Sequence, residues 1–273
     1  MVGFLDDDSP TKLFVTKREK LLECISLPNT NEKPRYESAN WGDASLTFPL
    51  IMKAADIEEY FGYIISGLIL SVGGLTQSVT QNASSVLIHW CRDANTAKLD
   101  RLGAVFLDLF DKHRHDGRVI LPLLKTIDIL MNRMCIEPLV KDNKFSLSLL
   151  GKLREETKGC SDIPRLTAVL NVATGLIVSV KNSQEATAFV CELLMHEYPR
   201  IRSLAAEKLY VRLLETDPEL DESHTAVKLL LNNAWEFDGG KEATKEDMAL
   251  EVFRAFKIEP LLKTKEYLFD VTA

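Results

Sequence analysis

Apolar residues in this chain return every three or four positions, and the runs that do so come in pairs divided by short breaks. Ile57, Tyr60, Phe61, Ile64, Ile65, Leu68 and Ile69 form one run and Gly73-Gly74 ends it. Leu75, Val79, Ala83, Val86, Leu87 and Trp90 form its partner. Such spacing sets apolar side chains along one stripe of an α-helix. A stripe of that kind is stable only against another element, so paired runs restrict the chain to packed helices.

The pattern continues downstream. Leu99, Leu102, Phe106, Leu109 and Phe110 are followed, after His113-Arg114-His115-Asp116-Gly117, by Val119, Leu123, Ile127, Leu130 and Met134. A third pair joins a helix near residues 145–153 to Ile163, Leu166, Leu170, Ala173, Ile177 and Val180. Pro164 sits there in a first turn, where proline is tolerated. Residues 186–196 and 200–214 make a fourth pair. Val227, Leu230, Leu231 and Ala234, then Met248, Val252, Phe253 and Phe256, make a fifth.

The second helices therefore begin near residues 75, 118, 163, 199 and 244, in steps of 43, 45, 36 and 45. Two-helix units of about 40–47 residues mark HEAT and armadillo repeats. No period-two alternation bounded by hairpin turns accompanies them. The expected fold is all-α: a HEAT/armadillo-like α-solenoid of about five helix pairs over residues 46–273. A lead-in over residues 1–45 precedes it, with a helix at 12–27 carrying Leu13, Phe14, Lys17, Leu21 and Ile25. Residues 28–42, rich in Asn, Pro, Glu and Ser, read as a loop.

The fourth second helix opens Tyr198-Pro199-Arg200-Ile201-Arg202. Ile201, Leu204, Ala205, Lys208, Leu209 and Arg212 follow one helical face, which places Leu204 in the core. Small Ala205 and Ala206 admit a neighbouring helix, and the arginines can tie one layer to the next.

Composition narrows the partners. The formal net charge of −7 opposes nucleic acid as the main partner and an anionic membrane surface as well, because both need a basic field. The longest apolar run, residues 63–72, is too short to span a bilayer and contains Ser66 and Gly67. Residues 1–8 run into Asp6-Asp7-Asp8, without the basic and apolar regions of a secretory leader, so a cytosolic protein is expected. The five cysteines, Cys24, Cys91, Cys135, Cys160 and Cys191, form no C-x-x-C pair and read as buried reduced thiols.

Motifs for catalysis are missing. Gly73-Gly74 and Gly239-Gly240 are lone pairs, and Gly151-Lys152 lacks the upstream glycine of a phosphate-cradling loop. The histidine pair His113 and His115 with the following Asp116 alone has metal-ligand chemistry, but the further ligands that a closed site of four needs do not lie close in sequence, and a solvated turn is the better reading. His89 and Cys91 sit beside Trp90 on a helix and point different ways, which suits packing rather than nucleophilic catalysis. The acidic stretch Glu215, Asp217, Glu219, Asp221 and Glu222 dresses a loop before a helix start near Glu222. No catalytic, cofactor-binding or metal residue is therefore assigned. The candidate protein contacts are the interhelical loops at 114–118 and 198–202, through Arg114, His115, Arg118, Tyr198, Arg200 and Arg202. For Arg200 and Arg202 a structural tie between layers is the stronger reading.

Ser71-Val72-Gly73-Gly74-Leu75-Thr76, placed after an aromatic-aliphatic helix, resembles the C-terminal region of the tubulin-folding cofactor D family. The likeness extends to Asn40-Trp41, Phe48-Pro49, Val119-Ile120-Leu121-Pro122-Leu123-Leu124-Lys125-Thr126, the Tyr198-Pro199-Arg200-Ile201-Arg202 helix and Asn233-Ala234-Trp235. The resemblance covers about residues 40–258, and because family members are much longer chains it implies the C-terminal part of one. It implies capture of β-tubulin, assembly or dissociation of the αβ-tubulin dimer, and support of GTP hydrolysis by tubulin. The partners it implies are tubulin, the sister cofactors and an ADP-ribosylation-factor-like small GTPase. It further implies a chaperone of the cytoplasm and cytoskeleton, without a cofactor or catalysis of its own. On the repeats alone, a transport-receptor or phosphatase-scaffold type of HEAT adaptor unrelated to tubulin is the alternative.

Overall fold

A computed structural model describes residues 15–25, 42–177, 183–216, 224–232, 235–236 and 244–258. Leu13, Phe14, most of the 28–42 loop, Val180, Ala234, Asp217 to Glu222, Gly239-Gly240 and Asp6-Asp7-Asp8 lie outside the described residues. Every element among the described residues is helical. The chain forms two compact units, residues 1–109 and 110–273.

The first unit holds α1 (Arg18–Ile25), α2 (Ala44–Lys53), α3 (Glu58–Val72), α4 (Gln77–Asp93) and most of α5 (Thr96–Lys112). Glu58 and Glu59 in the first turn of α3 suit the positive end of its dipole. Its buried face is Phe61, Ile64, Ile65, Leu68, Ile69 and Val72, and Gly73 is its C-cap. Phe61 meets the Trp90 ring of α4, centroids 5.6 Å apart, while the Arg101 guanidinium of α5 lies 4.2 Å over its face. Arg101 also pairs with Glu58, and Lys98 with Asp56, which fastens the start of α5 to that of α3.

The periodicity missed α2. Asp43 caps it, accepting the Ser45 N–H at 2.9 Å, and Pro49 sits inside it on an exposed position. Proline at that place removes one hydrogen bond without ending the helix, because α2 is packed against α4. Among the described residues 15–25 the opening helix spans Arg18–Ile25, with Leu21 and Ile25 buried, and Lys17, expected inside it, lies in the turn before it with φ +51.

The second unit continues with α6 (Gly117–Asn132), α7 (Glu137–Lys141), α8 (Asn143–Thr157), α9 (Ile163–Ile177), α10 (Ser183–Glu192), α11 (Pro199–Thr216), α12 (Thr225–Asn232) and α13 (Lys245–Ala255). Second helices were expected from residues 75, 118, 163, 199 and 244; α4, α6, α9, α11 and α13 begin at Gln77, Gly117, Ile163, Pro199 and Lys245. α6 packs on α9 and α9 on α11, so three second helices lie side by side. Short α7 was also missed, since five residues carry too little periodicity.

Leu204 corrects the expected core face of α11. It is half-buried, as are Lys208 and Arg212, while Ile201, Arg202, Ala205, Ala206 and Leu209 are buried. The helix is turned so that Arg202, wholly buried, reaches loop carbonyls that only an inward guanidinium can satisfy. All five cysteines are free: Cys91, Cys135, Cys160 and Cys191 are buried and Cys24 is half-buried. Burial pushes the Cys191 thiol far above its ordinary range, which leaves it unreactive.

Candidate protein-binding surface

Two buried arginines, each in the first turn of a second helix, organise the loops where contacts were expected. Arg165 of α9 donates from Nη1 to the His115 carbonyl at 2.8 Å and from Nε and Nη2 to the Cys160 sulfur at 3.1 and 2.9 Å. Glu156, 1% exposed, accepts the His115 backbone N–H at 3.0 Å. Its other oxygen makes no hydrogen bond and faces Arg165 Nη1 at 3.5 Å and His115 Nδ1 at 3.6 Å. His115 has φ +62, a left-handed conformation that costs energy in a side-chain-bearing residue. Both its peptide groups being held from the α8–α9 hairpin explains how it persists.

Arg202 of α11 does the same work further along. It donates from Nε to the Trp235 carbonyl at 2.9 Å, and from Nη1 to the carbonyls of His196 and Glu197 at 2.9 and 3.0 Å. Trp235 is itself buried, with its indole N–H on the Leu230 carbonyl at 3.1 Å. Arg202 therefore leaves the set of exposed contact candidates: desolvated and surrounded by carbonyls, it is a tie between successive loops.

The remaining candidates stay at the surface. Arg114, His115, Arg118 and Arg200 are exposed and Tyr198 is half-buried. Arg114 reaches Glu155 at 3.7 Å, a surface pair of little energetic weight. Asp116 is engaged as the N-cap of α6, accepting the Arg118 N–H at 3.0 Å. Among the described residues, no three His, Cys, Asp or Glu side chains come together in a way that can hold a metal ion. Tyr198 lies against the His196 ring, centroids 5.3 Å apart, and donates its backbone N–H to His196 Nδ1 at 3.1 Å. Burial lowers the His196 pKa and keeps that nitrogen free to accept.

Arg200 lines an open recess of about 590 Å³ with Thr167 of α9 and Ser203, Leu204 and Glu207 of α11. That recess, together with the Arg165–His115 bond, brings the starting ends of α6, α9 and α11 along one edge. The exposed basic groups of both predicted loops stand on this edge, and the buried Arg165, Glu156 and Cys160 under it were not anticipated. The shared proline-arginine opening gives no signal for them, since Arg165 after Pro164 is buried while Arg200 after Pro199 is exposed.

The arrangement suits recognition by shape and charge. No described helix is long and apolar enough to cross a membrane. No solved structure matches the chain. Its sequence does match, over residues 2–165, the family described as tubulin folding cofactor D C terminal. The matched span takes in the Ser71–Thr76 and Val119–Thr126 blocks, the α5–α6 loop and the Glu156–Cys160–Arg165 cluster, and it is more than half of the 273 residues. By that match the chain belongs to the tubulin folding cofactor D family and carries its C-terminal part.

Proposed function

We propose that this chain is a non-catalytic scaffold of the tubulin-folding pathway, built on HEAT/armadillo-like repeats, that binds β-tubulin. Family membership carries the reading, and the row of α6, α9 and α11, whose starting edge exposes charges of both signs, supports it. A row of second helices offers an extended rigid surface of the sort that repeat proteins use to hold other proteins. On this reading the chain acts in the cytoplasm, with sister cofactors and an ADP-ribosylation-factor-like small GTPase. There it assembles and dissociates the αβ-tubulin dimer, and GTP hydrolysis, which it promotes, is performed by tubulin.

The test is binding of the purified chain to purified αβ-tubulin by light scattering or surface plasmon resonance, with an Arg114→Glu/Arg118→Glu/Arg200→Glu variant alongside. Measurable binding that weakens in the variant supports the scaffold. A folded parent chain that binds neither tubulin nor any sister cofactor sinks it, and nucleotide turnover by the chain alone refutes the non-catalytic part.

A further inference from the structure

Helix α3 carries apolar side chains towards solvent as well as towards the core. Tyr63 is 81% exposed, Leu70 is 44% exposed, and Gly67 between them is exposed too. Leu75, in the turn to α4, is fully exposed. No Asp, Glu, Lys or Arg occurs from Tyr60 to Cys91, in a chain of which 27% is charged. The outward residues of α4 are accordingly Gln77, Ser78, Gln81, Ser85 and His89. A helix on a protein surface ordinarily turns charged residues to water, and one that is apolar all round is ordinarily covered.

The outward line of α3 is also symmetric. Tyr63 stands three residues before Ser66, and Leu70 three residues after Gly67, so a large apolar group flanks a small centre at each end. The hydroxyls on this side are already used: Ser66 donates to the Gly62 carbonyl at 2.7 Å and Ser71 to the Gly67 carbonyl at 2.8 Å. Glu59, one turn before Tyr63, is paired with Lys17 at 2.7 Å. Gly67 is not required by its own chain, since a Cβ there would meet nothing within 4 Å. Glycine inside a helix lowers its stability relative to alanine, and what it offers in return is room for a second backbone.

We propose that this face joins two copies of the chain, with two α3 helices crossing antiparallel about a two-fold axis at Ser66 and Gly67. An antiparallel copy presents the same order of residues, so Tyr63 meets Leu70 of the second copy on both sides of the axis. A two-fold contact needs such a self-complementary patch. Charge selects the same occupant. With a formal net charge of −7 each, two copies repel, and a charged patch laid on itself would add like-charge pairs. The face from Tyr60 to Cys91 adds none, and a strongly charged partner would find no countercharge on it.

Sedimentation velocity of the purified chain, from about 1 µM to about 0.5 mM, tests this. One helix crossing is smaller than a standard interface, so a weak dimer is expected, with Kd on the order of 10–100 µM. Tyr63→Asp, Leu70→Asp and Gly67→Lys should each weaken it about tenfold or more. All three sites are exposed in the single chain, and circular dichroism confirms that each variant is folded. Met134→Asp, at an exposed apolar residue of the other compact unit, should dimerise like the parent. A parent that stays monomeric at the highest concentration overturns the inference. A dimer that all three α3 variants leave within about twofold of the parent overturns it as well.

Discussion

The Arg165 guanidinium donates two of its N–H groups to the sulfur of Cys160, at 3.1 and 2.9 Å, and a third to the His115 carbonyl. Cys160 precedes α9, Arg165 lies in its first turn, and His115 precedes α6, so one side chain fixes two interhelical turns. Beneath them Glu156 is buried with Arg165 as its countercharge.

Arg165→Ala is expected to destabilise the second unit by about 3–5 kcal/mol, since it strands a buried carboxylate. Arg165→Lys should restore only part of this, because an ammonium cannot supply three N–H groups in a planar fork. Urea denaturation of the three proteins reads both values. Equal midpoints for parent and Arg165→Ala would remove the countercharge role.

Arg200 and Arg202 stand two residues apart and should behave oppositely. Arg202→Ala leaves buried carbonyls of His196, Glu197 and Trp235 without a donor and should cost about 2 kcal/mol or more. Arg200→Ala at the exposed recess should stay within about 0.5 kcal/mol of the parent and act on binding instead. Thermal melts and tubulin binding together separate the two roles.

Ala205→Asp should be far more damaging than Leu204→Asp. Ala205 is completely buried, so an unpaired carboxylate there costs several kcal/mol, whereas Leu204 at the rim of the recess can turn a new charge towards water. If the two variants melt alike, the orientation of α11 described here is wrong.

The His196 pKa lies below its ordinary value because the ring is buried. The unfolded chain therefore binds more protons than the folded one between the lowered value and the ordinary one near 6.5. Stability is retained at neutral pH and falls as the pH drops through that window. Glu192 and Asp128, whose pKa values burial raises, act in the opposite direction, so the informative quantity is the difference between two proteins. The parent should lose stability relative to His196→Asn as the pH falls from about 7 to 5, because Asn still accepts from Tyr198 but does not titrate. Parallel pH profiles would refute this.

Helix positions were legible because a stripe at steps of three and four is imposed by burial itself. The runs beginning near residues 118, 163 and 199 became α6, α9 and α11 with starts within one residue. Pro49 hid α2, since proline reads as a breaker in sequence while packing on α4 sustains the helix. Five-residue α7 fell below any periodic signal.

The sequence by itself determined the family, the helical class and the places where second helices begin, because each depends on local order along the chain. Only the tertiary structure decided that Arg202 turns inward and Leu204 towards the rim. It also joined Glu156, Cys160, Arg165 and His115 into one cluster and set the Met131 methyl against Gly175. These outcomes depend on which distant carbonyls, charges and side-chain volumes meet, and a burial stripe carries no record of the partners across it.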